Sequence, residues 1–101
     1  MRIIARKPIE AFKLKHPDAE SALDSWHKTM SEAEFNTSLE MKAVFQSVDI
    51  VGKGFVFDIS GNKYRLAASV HFNTRRVYIR EIMTHAEYSK NTWRQRHQDF
   101  S

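Results

Sequence analysis

The feature that most constrains this chain is a stretch between residues 55 and 83 in which apolar and polar side chains alternate. Alternation with a period of two is typical of β-strands that bury one face. Gly61-Asn62 and Asn73-Thr74 interrupt the stretch, and residue pairs of this kind favour tight hairpin turns. The pattern therefore predicts an antiparallel meander of three strands, which cover residues 55–59, 64–70 and 77–83.

The two turns also predict which residues pair. A two-residue turn at 61–62 places Phe57 opposite Leu66, and a turn at 73–74 places Ala68 opposite Ile79. Both turns collect apolar side chains on the same face, and a slip of one residue would invert every side chain. Glu81 is the exception, because this register places it opposite Leu66 on the apolar face. Either Glu81 lies at the rim of the sheet, or the second turn is misplaced.

The second face of this sheet is predicted to be polar and basic. In the same register Arg65 lies opposite Asp58 and diagonal to Arg80, roughly 7–8 Å away between strand positions. Clustered cations repel one another and often bind an anion, although a solvated polar face is the simpler interpretation. The side chains on this face are Asp58, Lys63, Arg65, Ser69, His71, Arg76, Tyr78 and Arg80.

The rest of the chain is predicted to be mainly helical. Met1 to Ala5 is predicted to be a short strand, and Pro8 suits the first turn of a helix. Apolar residues at helical spacing predict an amphipathic helix over residues 17–33. Thr37 to Glu40 and Thr84 to Glu87 have the form of capping boxes, so a helix should begin at each. The predicted order is β-α-α-β-β-β-α.

Length and composition exclude several classes of protein. A chain of 101 residues suits one domain. The absence of cysteine excludes disulfides, cysteine zinc sites and thiol nucleophiles. The histidines are scattered and none forms a His-x-x-x-His pair, so a metal site is not expected. No cofactor is expected either. No apolar stretch approaches the length of a membrane span, and no secretory signal is seen, which makes a soluble cytoplasmic protein the expectation.

The net charge of +4 is the sum of larger opposing blocks. Residues 1–15 carry +4, residues 16–60 carry −5, and residues 61–101 carry +5. A basic surface favours acidic partners such as nucleic acids, but charge alone says nothing about the fold. The acidic middle is expected to form a solvated helical layer that faces away from the basic sheet face.

Two motifs in this chain resemble a known family. The chain is similar to HigB-type mRNA interferase toxins of the RelE superfamily in two places. The first is Gly61-Asn62-Lys63-Tyr64-Arg65-Leu66, and the second is the segment Tyr78 to Tyr88, which ends in Thr84-His85-Ala86-Glu87-Tyr88. The opening Met1-Arg2-Ile3-Ile4, the segment His16 to Glu20 and Lys42-Ala43-Val44-Phe45 also fit the family pattern. The resemblance covers residues 1 to about 90.

The resemblance implies a single α+β domain over residues 1–90, with a small, twisted, mainly antiparallel sheet and helices packed on one face. It implies cleavage of mRNA, usually in the A site of the 70S ribosome. It also implies a cognate helix-turn-helix antitoxin that blocks the toxin and represses the operon, so operator DNA is bound only through the antitoxin. Residues 91–101 lie outside the resemblance and are expected to be a loosely ordered, basic polar tail.

The resemblance also raises the case for particular site residues. Arginine suits stabilisation of the charged transition state of RNA cleavage, because its planar fork binds phosphate oxygens in pairs. His85 suits a general base near neutral pH, and Tyr88 could move a proton if nearby cations lower its pKa. The predicted catalytic residues are Arg65, Arg80, His85 and Tyr88, and the predicted RNA-binding residues are Lys63, His71, Arg76 and Tyr78.

Two other functions are compatible with the same basic face. A non-catalytic RNA- or rRNA-binding module would use the same basic face, and its binding would weaken with salt without cleaving RNA. An interaction protein that binds an acidic partner through this face would leave RNA unaffected. A metal-free ribonuclease instead predicts products with a 2′,3′-cyclic phosphate and a 5′-hydroxyl.

Overall fold

A computed structural model describes residues 1–4 and 6–100. Its strands are β1 (Arg2–Ile4), β2 (Asp49–Val51), β3 (Gly54–Ile59), β4 (Tyr64–His71) and β5 (Arg76–Thr84). Its α-helices are α1 (Lys7–Lys15), α2 (Glu20–Glu32), α3 (Ser38–Val44) and α4 (His85–Ser89). Short 3₁₀ helices cover Pro17–Ala19, Thr92–Arg96 and Gln98–Phe100. The predicted first strand is confirmed over Arg2–Ile4, and Ala5 lies outside the described residues.

The strands form one five-stranded sheet in the order β1-β5-β4-β3-β2. β1 runs parallel to β5, and the other neighbours are antiparallel. The α+β class and the predicted meander are therefore confirmed. β2 was not predicted, because Asp49-Ile50-Val51 is too short to show an alternating pattern.

The predicted register is confirmed along the whole of the β3–β4 pair. Phe57 lies opposite Leu66 and Asp58 lies opposite Arg65, as the turn at Gly61 requires. Ser60 and Gly61 both have positive φ, at 53° and 65°, a conformation that glycine adopts without strain. The turn chemistry thus fixes the pairing of these two strands.

The register between β4 and β5 is confirmed at one end only. Ala68 pairs with Ile79 as predicted, but Ala67 pairs with Glu81, so a β-bulge leaves Arg80 as the extra residue. The predicted pairing of Leu66 with Glu81 is wrong, and Leu66 instead faces Ile82. A bulge inserts one residue and re-aims the side chains around it. The acid therefore leaves the apolar face without any change at the second turn.

Helices α1, α2 and α3 pack on the apolar face of the sheet and form the larger core with it, whereas Tyr88 of α4 packs against the opposite face. Pro8 lies in the first turn of α1, and Ile9 and Phe12 face inward from that helix. The predicted helix over residues 17–33 divides into a 3₁₀ turn and α2, whose Leu23 and Trp26 are buried. Both predicted caps form: the Thr37 hydroxyl accepts from the backbone N–H of Glu40, and Thr84 and Glu87 make a complete capping box.

A second, smaller core lies on the other face of the sheet. Trp93 and Phe100, both fully buried, cover Val56, Ala67 and Met83 from that side. The segment after Lys90 is therefore packed through Phe100, and the expectation of loose order is wrong for these residues. Trp93 and Phe100 are isolated in a polar segment and show neither helical nor strand periodicity, so the sequence did not predict that they pack on the sheet. We call residues 91–100 the C-terminal cover.

Candidate functional site

The β-bulge places two neighbouring charged side chains on the face that carries the C-terminal cover: Arg80 lies there by regular alternation, and the bulge adds Glu81. Arg80 contacts Ser69 and Asp99, and Glu81 contacts Arg96 and His97. Successive residues of a regular strand point to opposite faces, so only the irregularity between Ala67 and Ala68 allows this arrangement. The bulge therefore brings a cation and an anion into one surface site.

Arg80 is fixed in place but is still accessible. Its Nε donates to the Ser69 hydroxyl at 3.0 Å, and one terminal nitrogen lies 3.6 Å from Asp99. The guanidinium also lies 5.0 Å from the centre of the Tyr78 ring, and the side chain is 36% exposed. The Ser69 hydroxyl in turn donates to Asp99. A held guanidinium with free donors suits the binding of an anion from solvent.

Arg80 opens into a cleft of about 280 Å³ against the C-terminal cover. Glu81 lies at its side and uses both carboxylate oxygens: one accepts from Arg96 at 2.6 Å, and the other is 3.1 Å from His97 Nε2. The cleft therefore combines two guanidinium groups with an imidazole. Its lining residues are Arg80, Arg96, His97, Gln98 and Asp99.

Three of the predicted RNA-binding residues continue this surface toward the end of β4. His71 pairs with Arg76 across the strands, and Ser69 pairs with Tyr78. The His71 and Tyr78 rings meet edge to face, with 5.4 Å between their centres. The structure thus joins His71, Arg76 and Tyr78 to Arg80 on one face, in agreement with the predicted grouping. Aromatic and cationic side chains together suit stacked bases and phosphates.

Arg65, by contrast, is buried and fully engaged. It is 6% exposed, its Nε lies 3.1 Å from Asp58, and it donates to the Tyr64 carbonyl and to Asn62. The Tyr88 ring covers the guanidinium with 5.4 Å from carbon to ring centre. These partners stabilise a buried charge. They also leave Arg65 inaccessible to a phosphate in this structure.

The expected sharing of one ligand by Arg65 and Arg80 is also not met. The partners of Arg65 lie at the start of β4, whereas Arg80 binds Ser69, four residues further along. At about 3.3 Å per residue, that separation is roughly 13 Å along the strand. The bulge and the cover between the two arginines create two separate environments.

His85 and Tyr88 lie at the Arg65 end of the sheet. The Tyr88 ring stacks on Trp93, and its carbonyl accepts from the Trp93 indole at 3.1 Å. Burial raises the pKa of Tyr88, and the opposing effect of Arg65 does not overcome it. The condition stated for proton transfer by Tyr88, a pKa lowered by neighbouring cations, is therefore not met, since desolvation of the phenolate dominates. His85 is exposed at the start of α4, where its backbone N–H donates to the Lys63 carbonyl at 3.1 Å.

Lys63 lies apart from the other predicted RNA-binding residues. It pairs with Asp18, whose carboxylate also accepts from the Tyr64 hydroxyl at 2.8 and 2.9 Å. Hydrogen bonds from Lys63 and Tyr64 hold the pKa of Asp18 below its ordinary value. Asp18 belongs to the turn between α1 and α2, so Lys63 faces the helical side. It does not share the face predicted for it.

Sequence reasoning missed His97, Arg96 and Asp99 as site residues. They belong to a polar segment without periodicity, and only the burial of Trp93 and Phe100 brings that segment onto the sheet. Within residues 1–4 and 6–100, no three histidine, aspartate or glutamate side chains are grouped closely enough to hold a metal ion. In the same part of the chain, no helix is long and apolar enough to cross a membrane.

Comparison with known proteins identifies the family. The model of the HigB toxin family, described as the RelE-like toxic component of a toxin-antitoxin system, matches residues 19–91. The mRNA interferase HigB of Escherichia coli O6:H1 strain CFT073 is 35% identical over 95 residues, which are 91% of this chain and 92% of that protein. The mRNA interferase toxin HigB of Escherichia coli K12 is 35% identical over 91 residues, 87% and 88% of the two chains. The chain therefore belongs to the HigB family of RelE-like toxins.

Proposed function

We propose that this protein is the toxin of a type II toxin–antitoxin system and acts as an mRNA endoribonuclease. The observation that carries the proposal is the accessible guanidinium of Arg80, held by Ser69, Asp99 and Tyr78 at the mouth of a polar cleft that also contains Arg96 and His97. Relatives that match nearly the whole chain bear the name mRNA interferase, which supports the same activity.

The proposed reaction is attack of the ribose 2′-oxygen on the adjacent phosphorus, with loss of the 5′-oxygen. Such a reaction needs stabilisation of charge on the phosphate oxygens, and preorganised guanidinium groups supply it. Arg80 would bind the scissile phosphate, with Arg96 beside it in the cleft. His71, Arg76 and Tyr78 would contact the flanking nucleotides, because they continue the same surface.

Arg65 takes a supporting role in this proposal. Its buried contacts with Asp58 and Tyr88 join the start of β4 to the last helix, so loss of Arg65 would act mainly through the fold. His85 and Tyr88 are the proton-transfer candidates that the sequence motif supplied. Lys63 would bind RNA only at the margin, after release from Asp18.

The partners follow from the family and are part of the proposal. A cognate helix-turn-helix antitoxin would block the toxin and repress the operon, so the toxin would reach operator DNA only through it. The substrate would be mRNA in the A site of the 70S ribosome, which would place the reaction in the cytoplasm. Co-expression with the product of an adjacent helix-turn-helix gene should give a stable complex and restore growth.

The central test is cleavage of mRNA on programmed ribosomes, with Arg80→Ala as the variant and Arg75→Ala as the matched control. Arg75 is an exposed arginine whose side chain donates to Asn36 near the helices, 3.1 Å away, so its loss removes the same charge from another surface. Removal of one donor to the transition state costs on the order of 10²–10³ in rate. We expect Arg80→Ala to lose that much and Arg75→Ala to cleave at the wild-type rate.

The ends of the RNA distinguish the mechanism. A 2′,3′-cyclic phosphate and a 5′-hydroxyl would support attack by the 2′-oxygen, a route that needs no catalytic metal ion. Ends with a 5′-phosphate would refute it. RNA binding without any cleavage by the wild-type protein would refute the endoribonuclease and favour the non-catalytic binding module.

A further inference from the structure

His97, which lines the cleft with Arg80, forms a hydrogen-bonded pair with Glu81 at the side of that cleft. The His97 Nε2 atom lies 3.1 Å from one carboxylate oxygen of Glu81, and both side chains are about three-quarters buried, at 24% and 23% exposed. Arg96 binds the other oxygen of Glu81 at 2.6 Å. The carboxylate is thus held from two sides, and it fixes the orientation of the imidazole ring.

The pairing also defines which nitrogen of the ring can react. A carboxylate accepts hydrogen bonds, so the neutral imidazole carries its proton on Nε2, the nitrogen beside Glu81. Nδ1 then holds a free lone pair. The carboxylate thus holds the ring in one orientation and one tautomer, as in the histidine–aspartate pairs of hydrolases.

The position of this pair relative to Arg80 makes it a catalytic candidate. Glu81 follows Arg80 directly, and the bulge turns Glu81 to the covered face, where Arg80 already lies by regular alternation. Arg80 and His97 then line one cleft of about 280 Å³. A phosphate bound by Arg80 would therefore lie beside the imidazole. His85, the base expected from the sequence, belongs to the Arg65 end of the sheet.

We propose that His97 is the general base of RNA cleavage and that Glu81 is its positioning residue. This inference rests on the proposed endoribonuclease function. The 2′-hydroxyl gives its proton to His97 Nδ1 while the 2′-oxygen bonds to phosphorus. The bond from phosphorus to the 5′-oxygen breaks, and that oxygen takes a proton from solvent water. The imidazolium later returns its proton to solvent, so the enzyme is regenerated.

The test measures single-turnover cleavage of mRNA on programmed ribosomes by the full chain. His97→Ala should lower the maximal rate by about 10²–10⁴, the usual contribution of a general base. Added imidazole should restore part of that rate, which a purely structural loss would not allow. Glu81→Gln should lower the maximal rate more than it raises the toxin concentration for half-saturation, because the amide oxygen can still accept from Arg96 while the imidazole loses its carboxylate.

A matched control and a folding check keep the result interpretable. His27→Gln changes a histidine of α2 on the helical side and should cleave at the wild-type rate. The fluorescence of buried Trp93 shows whether the C-terminal cover stays docked in each variant. If His97→Ala releases the cover, His97→Gln replaces it as the test variant, because glutamine keeps a polar side chain of similar length.

The outcomes separate this inference from the proposed function. If wild type cleaves, Arg80→Ala fails and both docked His97 variants cleave at full rate, the role of His97 is refuted and the endoribonuclease stands. If His85→Ala abolishes cleavage while His97→Ala does not, the base lies at the other end of the sheet. If wild type does not cleave, the proposed function fails and this inference fails with it.

Discussion

Replacement of Phe100 by alanine tests whether the C-terminal cover is part of the folded domain. Phe100 is fully buried, and its ring meets Trp93 with 5.0 Å between centres. Burial of about 150 Å² of aromatic surface stabilises the folded state by about 4 kcal/mol, at roughly 25 cal/mol per Å². Truncation of a buried phenylalanine to alanine in other proteins lowers the free energy of unfolding by about 3–5 kcal/mol. We expect a loss of the same size here.

Urea unfolding followed by tryptophan fluorescence measures the change. Trp93 reports on the C-terminal cover, and Trp26 in α2 reports on the larger core, so one cooperative transition seen by both rings shows a single folded unit. Leu14→Ala is the control, because that side chain is 85% exposed and its loss should change stability by less than about 0.5 kcal/mol. If Phe100→Ala costs no more than Leu14→Ala, the cover contributes nothing to the fold and the reasoning is refuted.

Three further predictions concern the packing under the cover and the start of α4. A Cβ at Gly54 would overlap the Phe100 ring, so Gly54→Ala should lower the free energy of unfolding by about 1–3 kcal/mol. This loss should disappear when Phe100 is also replaced by alanine. An equal loss with and without the Phe100 ring would show that the ring is not the obstacle. Thr84→Ala should lower the urea midpoint by the equivalent of about 1 kcal/mol, because it removes a helix cap. The backbone N–H of Thr84 holds the pKa of Glu87 below its ordinary value, so this stabilisation is present at neutral pH and is lost as pH falls through the lowered pKa. Glu87→Gln should therefore weaken the acid dependence of stability, and an unchanged acid limb would contradict the role of the cap.

The sheet was predictable where local chemistry controls it. Gly61 fixes a turn, and the alternation on either side leaves one register that buries Phe57 and Leu66 together. The partnership of Asp58 with Arg65 follows from the same pairing and is confirmed. The cap at Thr84 was also predictable, because its side chain bonds the backbone only three residues away.

The candidate site was predictable in part. His71, Arg76, Tyr78 and Arg80 share a face as the register requires, since regular strands alternate. The accessibility of Arg65 could not be predicted, because its burial depends on Tyr88 in a helix that follows the sheet.

By itself, the sequence determined the strands, their turns, the helix caps and the family motifs. These depend on side chains that act on neighbouring backbone or on patterns of period two, and such interactions span a few residues. Only the tertiary structure decided which cations are accessible and which acid faces which base. The bulge at Arg80 and the docking of Trp93 and Phe100 join residues that no local pattern connects, because burial depends on contacts between distant segments. The cleft that Arg80 and His97 line, with Glu81 at its side, exists for that reason.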